Sequence, residues 1–281
     1  MREQGVVASA AGLAPFGHLG WGFRDHAEFV ARAAEYISDG LEQNQWVEYV
    51  GAASREQLRA ELAAMPGVRD RLDSGGIGVT PTMEFYAVPP GSDVVDPQTM
   101  VDTWVPKIEK VIEKGYTGYR VVADVTAVAR TAEQREAFAR YEFLIDQQMA
   151  VQPVSALCGY DTTQLGADAA GLICLHPFVN QGTVPFRLYA EPEAGFVLTG
   201  EIDAATAELF TATLRCVLPP AREDTVVIDA QGLEFIGHEQ LLCLDNYARA
   251  SGRQVVLRTD QRILTRLVGL IELTNVRLQH P

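Results

Sequence analysis

Lysine is the first residue type to test for chemistry, because a nucleotide-handling chain needs one at a fixed place. Three occur, Lys107, Lys110 and Lys114, and they are followed by Ile, Val and Gly. A P-loop needs Lys followed by Ser or Thr, the amine for the terminal phosphates and the hydroxyl for magnesium. The sequence therefore carries no such motif, and lysine Schiff-base chemistry is confined to one helix. The thiols suggest no standard site either. Cys158, Cys174, Cys216 and Cys243 are widely spaced with no CxxC pair, so neither a disulfide framework nor a zinc ribbon is indicated, and reduced, mostly buried thiols are expected.

Charge narrows the partners. The 23 basic and 37 acidic side chains leave a net charge of −14, the wrong sign for gripping a phosphate backbone or an anionic membrane. Direct nucleic-acid or membrane contact is not expected. No apolar run approaches the ~20 residues of a membrane span, and the first residues lack the basic-then-apolar pattern of a secretory signal. A cytoplasmic location is the expectation. A chain of 281 residues, 47% hydrophobic and 21% charged, suits one large or two medium globular domains.

Hydrophobic periodicity then supplies the elements. Phe29, Val30, Ala33, Ile37 and Leu41 recur at helical spacing, predicting a helix over 25–44, followed by a strand over 46–52 and a helix over 55–62. Met100, Val101, Trp104, Val105, Ile108, Val111 and Ile112 form a helical stripe ended by Gly115, with Pro106 expected to kink it or mark a later start. A buried parallel strand is predicted over 118–125. Thr131 and Gln134 form a capping box for a helix carrying Phe138, Tyr141, Ile145 and Met149, and 151–161 is a further strand. Its end should emerge at the carboxyl edge of the sheet, where open α/β sheets bind ligands. The stretch 176–186, with two prolines and no periodicity, suits an interdomain linker. Up to Thr183 there are 14 basic and 24 acidic residues, and 9 and 13 afterwards, so the acidity sits mostly in the first half.

The remaining residues predict two strands around a turn at 193–195, a helix capped by Asp203, and then strand, helix, strand, helix, strand. The order GEIDAATAELF, TVVIDAQGLEFIGHEQLLCL and GRQVVLRTDQRILTRLVGLIEL resembles a STAS domain, the fold of anti-sigma factor antagonists. That family normally presents Asp, Ser, Ser or Thr, Gly at a helix start, where the serine is phosphorylated by an anti-sigma factor kinase. The matching positions here are Gly237, His238, Glu239 and Gln240, without a hydroxyl, and Ser251 is the only serine after Thr183. The resemblance makes Asp203, Gly237, His238 and Glu239 partner-binding candidates. His238 and Glu239 could form a polar binding edge with Glu239 as a constitutive negative charge, His238 could be a phosphoacceptor or pH-responsive group, or the pair could simply start a helix.

The segments HLGWGFRDHAEFVARAAEYISDGLEQNQWVEYVGA, YRVVADVTAVARTAEQREAFARYEFLIDQQM, SALCGYD and LICLHPFV resemble the MEDS domain of DcmR-type sensory regulators. The resemblance implies a degenerate relative of RecA-like and KaiC-like ATPases that senses small molecules, in line with the lysine count. It nominates His18, Trp21, Cys158, Tyr160, Asp161 and His176 as ligand-binding residues on the carboxyl side of the sheet. Relatives commonly read His, x, Cys where this chain has Gly20, followed by Trp21. A thiol, two imidazoles and a carboxylate could bind a metal or a polar ligand or serve as buried structural groups, but their spacing forms no local metal motif and no metal site is expected. Asp124 stands where an ATPase would keep its magnesium acid and reads as a turn cap. Glu142 could descend from a catalytic glutamate of an ancestor, but on an amphipathic helix it reads as an ordinary partner for Arg140 or Arg135, or a domain contact.

The expected molecule is thus α/β, with an N-terminal tail over 1–16, a degenerate RecA/KaiC-like three-layer sensory domain over 17–182 and a STAS domain over 183–281. It is expected to be no enzyme but a regulator of an anti-sigma factor or kinase-like partner, with a possible small-molecule ligand, a possible homodimer and no cofactor that the sequence can name. The competing expectations are a nucleotide-binding or residual ATPase enzyme and a non-sensing scaffold.

Overall fold

The computed structural model describes residues 3–13, 17–192, 195–218 and 224–280. The strands in chain order are β1 (Gly5–Val7), β2 (His18–Phe23), β3 (Trp46–Gly51), β4 (Ile77–Pro81), β5 (Tyr119–Asp124), β6 (Val154–Asp161), β7 (Phe178–Asn180), β8 (Phe186–Glu191), β9 (Gly195–Ile202), β10 (Thr225–Asp229), β11 (Leu233–Ile236), β12 (Gln254–Arg258) and β13 (Val276–Gln279). The first seven form one parallel sheet in the order β1-β7-β2-β6-β5-β3-β4. Both faces of such a sheet must be covered, and its strands are correspondingly apolar. One face carries Trp21, Tyr49 and Leu157 against Phe29, Tyr36, Leu58 and Leu62 of the His26–Glu42 and Arg55–Ala64 helices. The other carries Val121, Ala156 and Cys158 against Trp104, Phe138, Ile145 and Met149 of the Trp104–Glu113 and Ala132–Met149 helices. That is a three-layer α/β arrangement. The predicted capping box at Thr131 and Gln134 is formed.

Two expectations change, and the later helix start expected around Pro106 is found. The segment expected as a tail contains β1, which pairs with β7. The stripe around Pro106 divides at Thr103 into the Pro97–Asp102 and Trp104–Glu113 helices, so the proline falls in the first turn of the second helix, where its missing N–H breaks no helical bond. The stretch 176–186 is no plain linker. It contains β7, and Asn180 bonds Gly22 through both its amide atoms, at 2.9 and 2.8 Å. A three-residue strand between two prolines is too short for periodicity to reveal.

The second sheet has β9, β10, β11, β12 and β13 parallel and β8 antiparallel to β9. β10 and β11 run consecutively along β9: Asp229 pairs with Val197 and Leu233 with Gly200, with a bulge between Leu233 and Phe235. Gly200 has φ +89, and a Cβ there would lie 2.4 Å from the Pro185 carbonyl oxygen, so no other residue fits this bend. The turn expected at 193–195 includes Glu193 and Ala194, which lie outside the described residues.

The two halves share one core. Phe143 of the Ala132–Met149 helix stacks on Phe196 of β9, with ring centroids 4.9 Å apart and planes 12° apart. β8 is an edge strand, and its free N–H groups face the first domain. Leu188 N–H donates to the Cys174 carbonyl at 2.8 Å and Ala190 N–H to Asp146 Oδ2 at 2.9 Å. An open edge that would template pairing with another chain is thereby covered. No helix among the described residues is long and apolar enough to cross a membrane.

Candidate functional site

Alternation along a strand sends residues i, i+2 and i+4 to one face. On β2 this puts His18, Gly20 and Gly22 together, in register with Ala156, Cys158 and Tyr160 of β6. The Ala132–Met149 helix packs over that face. Its buried positions include Phe138, Glu142, Asp146 and Met149, so two carboxylates one turn apart enter an otherwise apolar layer. His176 completes the group from the residues just before β7.

The resulting cluster is sealed from solvent: His18, Glu142, Asp146, Cys158, Tyr160 and His176 are all buried. His18 Nδ1–H donates to Asp146 Oδ1 at 3.0 Å, and its Nε2 lies 3.2 Å from Glu142 Oε2. Tyr160 O–H donates to Glu142 Oε1 at 2.8 Å. Cys158 Sγ is 3.6 Å from His18 Nε2 and 3.9 Å from Glu142 Oε2. His176 Nδ1–H donates to the Leu172 and Ile173 carbonyls, each at 3.2 Å, and its Nε2 lies 3.7 Å from Glu142 Oε2 without a hydrogen-bond partner. The two imidazole centroids are 4.0 Å apart. Gly20 makes this approach possible, since a Cβ on it would sit 2.9 Å from Cγ and Nδ1 of His176. The ring of His176 thus occupies the space beside the position where resembling chains carry a cysteine.

Electrostatics follow from burial and these partners. Burial disfavours a charged His18, but Asp146 and Glu142 outweigh it and raise its pKa. Burial likewise opposes the Glu142 carboxylate, and His176, His18 and the Tyr160 hydroxyl overcome it, so its pKa falls. Desolvation pushes the Cys158 thiol well up, with Glu142 adding to the effect. His176 is lowered to about 4 by burial and by the neighbouring His18 charge. The surroundings thus favour a protonated His18 beside an ionised Glu142, and oppose both ionisation of the Cys158 thiol and protonation of His176.

His18, Cys158, Tyr160 and His176 are brought together as the resemblance implied, but Trp21 and Asp161 are not. Trp21 faces the opposite layer, where its indole N–H donates to Glu28 at 3.1 Å. Asp161 caps the Thr162–Leu165 helix, accepting from Thr163 and Gln164 N–H. The location also differs from the expected carboxyl edge. His18 is the first residue of β2, opposite Ala156, so the cluster lies under the middle of the sheet. Glu142, expected as a partner of Arg140 or Arg135 or a domain contact, is the hub of the cluster. Asp146 went unnoticed, although an acid on the same helix face as Phe138 and Met149 was a usable signal. His18, Glu142, Cys158 and His176 offer ligand atoms within 4.8 Å of one another, a grouping that local spacing does not suggest. Their sequence spacing hid this because they come from four separate places in the fold. The remaining nucleotide candidates have structural partners. Asp124 accepts from Thr126 N–H at 3.0 Å, and the Lys107 amine sits over the Phe85 and Trp104 rings.

Two further surfaces are relevant. A cleft of about 620 Å³ runs between the halves, lined among others by Arg135, Glu136, Asp168, Leu209, Thr213 and Cys216. Arg135 and Asp168 form an ion pair at 2.6 Å within it. At the end of the second sheet, Gly237 N–H donates to the Ile202 carbonyl at 2.9 Å, which brings Asp203, Gly237, His238 and Glu239 together. Gly237 is the N-cap of the His238–Ala250 helix, and a Cβ there would collide with Gln240 Oε1. His238 and Glu239 are exposed, beside the exposed apolar side chains Phe235 and Leu242. Asp203 does not cap the Ala207–Val217 helix, whose N-cap is Thr206; it accepts from Ala205 and Thr206 N–H in the preceding turn.

Comparison with known proteins matches residues 17–177 to the MEDS family, the methanogen/methylotroph DcmR sensory domain. No curated protein matches the chain. Among solved structures, a KaiC-like protein from the hyperthermophilic archaeon Pyrococcus horikoshii aligns over 66% of this chain and 79% of its own, with 17% identity and a TM-score of 0.38.

Proposed function

Because this chain belongs to the MEDS family, we propose that it is a non-enzymatic signalling regulator in which the sensory domain controls what the C-terminal domain presents to a protein partner. The observation that carries this reading is the double role of Asp146. One carboxylate oxygen holds His18 in the sensory cluster and the other accepts Ala190 N–H in β8 of the second sheet. A change at the cluster must alter that bond or strain the Phe143–Phe196 stack, so the two halves have a physical means of biasing one another.

The C-terminal domain is read as a STAS domain, supported by its motif order and by the gathering of Asp203, Gly237, His238 and Glu239 at one end of the sheet. Its partner would be an anti-sigma factor or related kinase-like protein, and the output altered transcription without direct nucleic-acid contact. With no serine at the helix start, Glu239 supplies negative charge there permanently. The interdomain cleft is the candidate site for a small molecule in this reading, because clefts between domains suit ligands and this one borders the helix whose Leu172 and Ile173 carbonyls hold His176. Within this reading the sensory sheet is a RecA/KaiC-type sheet that no longer handles nucleotide, the site is cytoplasmic and self-association as a homodimer is compatible with it. Capture assays with purified kinase-fold anti-sigma factors test it. Retention by the full chain, reduced at least tenfold by His238→Ala with Glu239→Ala, is expected; no retention, or retention indifferent to both changes, contradicts it.

A further inference from the structure

The buried cluster has a feature that hydrogen bonding alone leaves unexplained. His176 Nε2 is buried, has no hydrogen-bond partner, and points at Glu142, Cys158 and His18. Its Nδ1 contacts two backbone carbonyls. Carbonyls only accept, so the proton of the neutral ring is on Nδ1 and a lone pair is on Nε2. On His18 Asp146 accepts from Nδ1–H, which leaves Nε2 facing the group. Tyr160 takes up one oxygen of Glu142 and leaves Oε2 facing the group. The two histidines and Glu142 are each oriented by an outer partner so that the remaining donor atom faces the Cys158 thiol. A histidine whose far nitrogen is held by a carboxylate or backbone carbonyl is the usual outer arrangement of a metal ligand.

We propose that His18 Nε2, His176 Nε2, Glu142 Oε2 and Cys158 Sγ are the four ligands of a closed site for one zinc-class divalent ion. Bond lengths near 2.0–2.3 Å around a tetrahedral zinc ion separate neighbouring ligand atoms by about 3.3–3.6 Å. Four of the six separations here are 3.2, 3.6, 3.7 and 3.9 Å, and all six lie within 4.8 Å, so shifts of up to about an ångström complete the shell. Magnesium and calcium require six or more oxygens, whereas two imidazoles, a thiolate and a carboxylate suit zinc. The proton balance is simple. Binding displaces the Nε2 proton of His18 and the thiol proton of Cys158, and one thiolate with one carboxylate neutralises the dication. With all four positions taken by protein and the site sealed, the ion would be structural or sensory and would leave no position for a reacting water.

This inference is independent of the partner proposed above, and its test needs no partner. The full chain is stripped with a chelator, checked for retained fold by circular dichroism, and titrated with cobalt(II). Saturation at one equivalent is expected, with tetrahedral visible bands and a thiolate charge-transfer band in the near ultraviolet, all displaced by zinc. Cys158→Ser should lose the near-ultraviolet band while Cys216→Ser keeps it, and Asp146→Asn should weaken zinc by about 10–100-fold. X-ray absorption on the unmodified zinc-loaded chain gives the same answer without a variant: one sulfur and three nitrogen or oxygen ligands. Absence of stoichiometric uptake by the folded chain, or a shell without sulfur, overturns the assignment.

Discussion

His18 with Glu142 and Asp146, and His238 with Glu239, use the same side-chain types in two regions of one chain. The first group is sealed under the sensory sheet and the second lies at an exposed helix start. In the core the protons of His18 Nδ1, His176 Nδ1 and Tyr160 are each held by a neighbour, because an unsatisfied group there loses its full hydration without return. At the surface, water satisfies the same groups whatever they do, which leaves them free to meet a partner. Identical chemistry thus reads as an internal site in one place and as a contact face in the other.

The sharpest way to break this contrast is to delete one member of each group. Glu142→Leu removes the hub that His18, Tyr160 and Cys158 share, and loss of a buried ionic partner costs about 3–5 kcal/mol. Urea unfolding of the full chain should show a drop of that order. His176 provides the next largest effect. In the metal-stripped chain its folded pKa is lowered to about 4, by burial and by His18, so the unfolded chain binds its proton first as the solution is acidified. Stability from this group is complete above about pH 6.5 and is lost progressively as pH falls to about 4, by up to about 3 kcal/mol. His18, whose folded pKa is raised, works in the opposite direction, its contribution fading as pH rises through the folded value. Comparing stability against pH for the stripped chain and His176→Gln isolates the acid-side loss, which the variant should not show.

Gly20→Ala is a smaller perturbation of the same region. Its Cβ would meet the His176 ring at 2.9 Å, and that ring is tethered by two carbonyls, so overpacking of about 1–3 kcal/mol is expected in a thermal melt. At the bottom of the scale, His238→Ala and Glu239→Ala should each change stability by no more than about 0.5 kcal/mol while still reducing partner capture. A large loss of stability at either position would erase the distinction between the two regions.

Much of the fold was legible because its signals are local. The Thr131 and Gln134 capping box and the apolar runs of β5 and β6 are read from a few neighbouring residues. The cluster was half legible: His18, Cys158, Tyr160 and His176 were nominated together, and strict alternation along β2 and β6 separates Trp21 and Asp161 from them once the pairing of His18 with Ala156 is known. That pairing is a long-range register, which no local pattern reveals. Glu142 and Asp146 read as ordinary helical acids because they lie on a helix with many charges, although both fall on the Phe138 and Met149 face. β7 escaped notice because three residues are too few to show a period.

Asp146 links the buried cluster to the second sheet, through His18 on one side and Ala190 on the other. Hydrogen exchange of the full chain with and without His18→Gln tests it most directly, since His18 touches the cluster side of Asp146 and is absent from β8. Faster exchange across 186–191 and into 196–202, with the β3 and β4 amides unchanged, is the predicted result. Faster exchange confined to the sensory sheet, with the β8 amides as protected as before, would contradict it.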